Sequence, residues 1–237
     1  MRPLNKGEAP YVKISDYAEA LPYLEERIGL YCSYCGFPIK HVPEVEHISA
    51  KSEGGDRTAW SNLLLGCKYC NTRKSKKVTP LNKNAYLWPD QYNTAIAYQY
   101  TDSIPKVNEE TLIQLDPSGE YLKKAENLFG LLALDHIPGP GEKDRRFQSR
   151  FEVYTTAMNT LQHWKKMRTS KEDTVRPFLD TTIELAKYSG FFSIWTMVFT
   201  DEPVILRALL DAFPGTDRTY FDENGLPNTL LCKPKED

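Results

Sequence analysis

The chain is predicted to be α+β, with a small strand-bearing unit towards its N-terminus and a mainly α-helical C-terminal region. Three observations predict this. Two Cys-x2-Cys pairs, Cys32/Cys35 and Cys67/Cys70, bracket two short β-forming stretches, and Gly54-Gly55 supplies a turn between them. From about residue 108 the apolar residues change to a helical period. With 237 residues, 41% of them hydrophobic, the chain can hold one large domain or two small ones.

The cysteine pairs match structural zinc spacing, because each supplies two thiolates at one corner and the intervening loop lets the corners meet tetrahedrally. Zinc held by Cys32, Cys35, Cys67 and Cys70 can stabilise a unit too small to bury much core of its own. A closed four-sulfur site leaves no open position for water, so these thiolates are scaffold. Val45 to Ile48 reads as one short strand, Leu63 to Leu65 as a second, and Cys70 to Lys77 as a helix. Cys232, alone near the C-terminus, is expected to be a spectator.

Inside the cysteine frame lie Glu46-His47, Gly54-Gly55, Asn62-Leu63 and then Cys67-Lys68-Tyr69-Cys70-Asn71-Thr72-Arg73-Lys74. Fourteen residues separate His47 from Asn62, and eight separate Asn62 from Asn71. This ordered set resembles the HNH endonuclease signature, which implies a ββα-metal HNH module with a structural zinc. Phosphodiester cleavage needs a nucleophilic water and a cation on the oxygen that gathers charge. Glu46 and Asn71 offer hard oxygen ligands for one Mg2+ or Mn2+ ion. His47, with an ordinary pKa of about 6.5, is the expected general base. The resemblance gives Asn62 the role of bracing the loop, and gives Lys74 that of a phosphate contact. Many members carry Asp or His where this chain has Glu46, whereas Asn71 is a frequent alternative in the cysteine-bearing branch. Neighbours on a strand point to opposite faces, so the first strand is expected to end or bulge at Glu46-His47. Glu44 shares a face with Glu46 and is read as a solvated carboxylate.

A formal net charge of -2 and a pI of about 6.1 do not mark the whole chain as a nucleic-acid binder. The local distribution does more: Lys68, Arg73, Lys74, Lys76 and Lys77 fall within ten residues with no acidic side chain among them, on and around the expected metal-site helix. Of the other histidines, His136 sits in a turn closed by Gly139-Pro140-Gly141, His163 in a helical stretch, and His41 just before the motif. None has the accompanying residues of a second site.

The nuclease module with its N-terminal arm and a following hairpin is expected over 1–107, and a helical region for assembly or regulation over 108–237. The hairpin is read from Ile96 to Tyr100 and Ile104 to Val107. Core stripes are read at Leu122, Ala125, Leu128, Phe129 and Leu132, at Phe147, Phe151, Tyr154, Met158 and Leu161, and at Phe191, Ile194, Trp195 and Val198. Leu131 to Asp135, Arg145-Arg146, Phe213 to Thr216 and Phe221-Asp222 resemble the C-terminal region of HNH subunits of Septu-type bacterial antiphage systems, also found with retrons. That resemblance implies a partner ATPase of the ABC type and an effector role in defence. No apolar run long enough to span a membrane is present, the first residues lack a secretory h-region, and thiols committed to zinc suit a reducing compartment, so a cytoplasmic location is expected. The substrate is read as DNA; RNA such as tRNA, or a non-catalytic zinc ribbon that only binds nucleic acid or a partner, stay open.

Overall fold

The computed structural model describes residues 1–233. Strand β1 (Glu44–His47) pairs antiparallel with β2 (Leu63–Gly66) in the register Glu44↔Gly66, Val45↔Leu65, Glu46↔Leu64 and His47↔Leu63. All of β2 is buried, as its unbroken Leu63-Leu64-Leu65 run requires. A short helix precedes the sheet, α1 (Leu21–Ile28), with Leu24 and Ile28 turned inward.

Helix α2 (Lys68–Lys74) follows β2 directly. Cys67 caps it by accepting the Cys70 N–H at 3.4 Å. The helix ends three residues before the expected Lys77, because Ser75 takes a positive φ of 47° and breaks the run.

The hairpin is present as β3 (Tyr98–Thr101) and β4 (Ile104–Val107). It starts two residues later than read from sequence. Asn93 accepts the Ala95 N–H at 3.2 Å, and this cap winds Thr94–Ala97 into the single turn α3 instead of strand.

The remainder is helical: α4 (Glu109–Leu115), α5 (Glu120–Leu132), α6 (Arg146–Met167), α7 (Glu172–Ser189), α8 (Phe192–Val198) and α9 (Pro203–Ala212). Two hydrophobic cores result. The first gathers Leu24, Leu63 to Leu65, Trp88, Leu112, Ala125, Leu128 and Leu132, so α4 and α5, beyond residue 107, share the core of the cysteine unit. The second gathers Val153, Trp164, Trp195, Phe199, Leu206 and Phe213 with Tyr31 from the N-terminal side.

The stripe on α6 differs from expectation. Phe151 is exposed, and the fully buried positions are Arg146, Arg150, Val153, Ala157 and Trp164. Apolar periodicity cannot find a face that opens with two arginines. Among the described residues no helix is long and apolar enough to cross a membrane.

The C-terminal end returns to the N-terminal unit. Buried Asn93 donates to Asn228 O at 3.0 Å and Leu230 O at 2.9 Å, and Cys232 bridges to Tyr92, with its sulfur 3.0 Å from the Tyr121 hydroxyl. Cys232 is thus a packing contact away from the zinc ligands. Asn93→Ala removes both bonds and the α3 cap. It should cost about 2–4 kcal/mol in denaturant unfolding, the sum of about 0.5–1.5 for each of the two part-buried hydrogen bonds and about 1 for the cap.

Candidate active site and zinc centre

The backbone brings the two cysteine pairs together. Cys32 N–H donates to Phe37 O and Gly36 N–H to Cys32 O, each at 2.9 Å, which closes the first pair into a tight knuckle. Gly36 turns the chain at a φ of 77° with Phe191 Cα only 3.2 Å from where a Cβ would sit. Ser33 N–H donates to Leu65 O at 2.8 Å and pins the knuckle to β2. The second pair lies at the start of α2.

The four sulfurs lie within 4.8 Å of one another, all buried and none in a disulfide. Cys35 and Cys67 Sγ are 3.7 Å apart. A tetrahedral zinc with bonds of about 2.3 Å would set sulfurs about 3.8 Å apart, so the donors fit zinc in chemistry and spacing. Among the described residues no other group of three or more His, Cys, Asp or Glu side chains is gathered this closely.

Next to this frame is a cleft of about 390 Å³ lined by Tyr17, Glu46, His47, Lys51, Asn71, Lys74 and neighbouring residues. His47 is the last residue of β1, so the strand ends where the alternation of faces would otherwise separate it from Glu46. The pairing register shows no bulge. His47 Nε2 lies 3.0 Å from Arg57 O. A carbonyl can only accept, so Nε2 carries the hydrogen and neutral His47 presents Nδ1 as an acceptor. Burial, with Lys51, Lys74 and Arg57 nearby, holds the imidazole below its usual 6.5. It is therefore neutral at neutral pH. The Tyr17 ring meets it edge-on at 4.8 Å and carries the Lys51 ammonium 4.0 Å above its face.

Glu46 is buried between a cation and a hydroxyl. Lys74 Nζ lies 2.8 Å from Oε1, and the Tyr34 hydroxyl donates to Oε2 at 2.5 Å. The Lys74 and Glu46 side chains are only 2% and 1% exposed. Burial pushes the Glu46 carboxyl up to about 7, against the opposing pull of Lys74 and Tyr34. Lys74 also donates to Ile48 O at 3.2 Å. It departs from the expected phosphate contact, because a buried ammonium committed to Glu46 is not offered to a polyanion. Lys68, Lys76 and Lys77 are exposed and Arg73 is half-buried.

Asn71 donates to Glu44 Oε2 at 2.8 Å, and Lys68 lies 3.5 Å from the other oxygen. Glu44, read as solvated, is a half-buried partner of Asn71. Gly66 separates the proposed ligands: a Cβ there would lie 3.0 Å from Glu46 Cγ and 3.9 Å from Asn71 Cβ. The Glu46 and Asn71 side chains thus flank one glycine at the cleft.

Asn62 holds the loop. It accepts Ser49 N–H at 2.8 Å and donates to Ser49 O and Asp56 O at 3.1 and 2.6 Å. Gly55 is obligatory within that loop, since a Cβ would fall 2.1 Å from Ser49 O. His41 and His163 are exposed, and His136 is engaged by Glu142 at 2.6 Å; none approaches the cleft. Sequence reasoning missed Tyr34, Tyr17 and Gly66. Gly66 alone carried a signal, as a glycine ending an apolar strand beside the motif.

Residues 32–77 match the family model for HNH endonucleases. The matched segment holds the four-cysteine cluster, both strands, α2 and the cleft residues from Glu46 to Lys74, and it fits an HNH zinc module. An HNH nuclease domain supports metal-dependent nuclease activity and implies interaction with nucleic acid. No curated protein and no solved structure matches the chain.

The cleft geometry sets the following outcomes. Lys74→Met strands the buried Glu46 carboxylate, so it should cost about 3–5 kcal/mol by chemical denaturation. Any remaining cleavage should then require higher pH, since Glu46 loses the cation that favours its ionised form. In the wild type at subsaturating Mg2+, cleavage should rise as pH is raised through about 7, where the metal-free Glu46 carboxyl ionises. His47, held lower, is already neutral there. Gly66→Ala should displace Glu46 and lower cleavage by about tenfold or more while zinc content stays at one per chain.

Proposed function

We propose that the chain is a metal-dependent endonuclease that hydrolyses nucleic-acid phosphodiester bonds, with DNA as substrate. The observation that carries this reading is the cleft that His47, Glu46 and Asn71 share within the segment matching the HNH family. Glu46 and Asn71 would hold one Mg2+ or Mn2+ ion, which when bound supplies Lewis acidity to the scissile phosphate and its leaving oxygen.

The chain's own residues do the rest. Nδ1 of neutral His47 takes the proton from the attacking water, while the bond from Nε2 to Arg57 O fixes the ring and its tautomer. Lys74 favours the ionised form of Glu46 against its burial and so helps make it available as a ligand. Asn62 holds the ends of the 49–56 loop together and keeps His47 in register. Lys68, Lys76 and Lys77, with Arg73, would guide the phosphate backbone past the cleft.

The helical region is proposed to dock a partner ATPase of the ABC type, with the pair acting in cytoplasmic antiphage defence. The short C-terminal stretches that resemble Septu-type subunits support this, and the thiolate zinc site suits a reducing compartment.

The test uses the purified chain, alone and with the product of its neighbouring gene, on plasmid DNA and on tRNA with Mg2+ or Mn2+. His47→Ala should lose about 10²–10⁴-fold in rate and keep both fold and binding. Cleavage that survives the substitution removes His47 as the base. Cleavage of tRNA and not plasmid moves the substrate to RNA, and binding without cleavage of either favours a non-catalytic zinc ribbon. Replacing Lys68, Lys76 and Lys77 by Gln should flatten the dependence of log affinity on log salt, by about 0.9 for each duplex-DNA phosphate that is no longer neutralised.

A further inference from the structure

The buried face of α6 opens with two arginines, and both are turned towards the cysteine cluster's surroundings. Arg146 is 1% exposed and Arg150 2% exposed. Arginine is rarely buried unless its donors and charge are met.

Each nitrogen of the Arg146 guanidinium is engaged. Its Nη1 lies 3.4 Å from Cys70 Sγ and donates to Leu132 O at 3.0 Å. Nη2 donates to Ala133 O at 3.1 Å and to Asp144 Oδ2 at 2.7 Å, and Nε reaches both Asp144 oxygens at 3.0 and 3.1 Å. Asp144 therefore balances its charge and aims its fork, and the donor left for Cys70 is a directed N–H. Arg150 lies one helical turn further on. It donates to Ser103 O at 3.2 Å and Leu134 O at 2.9 Å, and no carboxylate pairs with it among the described residues. It lines a small void together with Cys35.

Four thiolates around one zinc carry a formal net charge of minus two, and here all four are buried. Such a charge is costly in a low-dielectric interior unless donors and cations face it. Within 32–77 the sulfurs receive backbone hydrogen bonds at Cys67, from Cys70 N–H, and at Cys32, from Cys35 N–H. The buried cation of that segment, Lys74, is spent on Glu46.

We propose that α6 completes the zinc centre: Arg146 donates directly to the Cys70 thiolate, and Arg150 is the buried counter-cation of the four-thiolate cluster. Both are positioning residues. Arg146 acts through Cys70, whose neighbour in α2 is Asn71, and Arg150 through the charge of the cluster on its Cys35 side, so the helical region is part of the metal site and not an appendage to it. Outer hydrogen bonds of this kind typically set metal affinity by about 10–100-fold.

Zinc affinity of the full chain, read by competition with a chromophoric chelator, tests this without any nucleic acid, so the result stands whether or not the chain is a nuclease. Arg146→Met and Arg150→Met are each expected to weaken zinc binding by about tenfold or more. Asn93→Ala, which removes a buried anchor that touches no zinc ligand, should leave it within about threefold and so controls for loss of stability alone. In the cobalt-substituted protein, losing the donor at Cys70 should move the thiolate-to-cobalt charge-transfer band to lower energy in the Arg146 variant and leave it in place in the Asn93 variant. Equal zinc affinities for the arginine variants and Asn93→Ala, or an unmoved band, would overturn the inference. Should a methionine variant fail to fold, Arg146→Lys and Arg150→Lys decide. The first loses the aimed fork and should weaken zinc, the second keeps the charge and should not; the reverse order, or no difference between them, refutes the proposal.

Discussion

The meeting of four thiolates is the constraint on which the rest of the structure depends. A two-stranded sheet of four-residue strands and a seven-residue helix cannot bury enough surface to hold its own shape. Tying the Cys32–Cys35 knuckle to the start of α2 fixes where β2 ends and where α2 begins. Those two points determine where Asn71 and Lys74 stand relative to Glu46. The cleft is thus a consequence of the sulfur frame, although no sulfur lines it.

The cleft also concentrates electrostatic cost. Glu46 and Lys74 are nearly fully buried, and a buried pair gives little net stability over apolar packing while its rupture is expensive. Retaining such a pair makes sense where the carboxylate has work to do. Tyr34 and Lys74 each take one Glu46 oxygen and leave lone pairs for a ligand bond, so the side chain is held in one place and kept close to its point of ionisation. His47 stands beside it in the same cleft. Burial favours its neutral form, and the Arg57 carbonyl chooses the tautomer.

The two cores divide the molecule differently from its sequence texture. Helices α4 and α5 lie in the first core beside β2, the segment around Cys232 folds back onto Tyr92, and Phe191 packs over Gly36 of the first knuckle. Each of these ties the helical region to the zinc unit through a different part of the chain.

Much of the site was legible in the sequence because it is local. Cysteine spacing, a glycine pair and an ordered set of Glu46, His47, Asn62 and Asn71 constrain residues within one supersecondary unit, where spacing nearly determines geometry. The helical stripes at Ala125, Leu128 and Leu132, and at Phe191, Ile194, Trp195 and Val198, were legible for the same reason, since a helix repeats its face. What only the tertiary structure decided are the partners brought from afar. Lys74 reads as one more surface cation in a basic run until Glu46 is seen to face it. Tyr34 has no motif, and the inward face of α6 shows in its apolar pattern as Phe151 when it belongs to Arg146 and Arg150. Hydrophobic periodicity reports where apolar side chains repeat, and it is blind to a charge buried because a distant thiolate, carboxylate or carbonyl receives it.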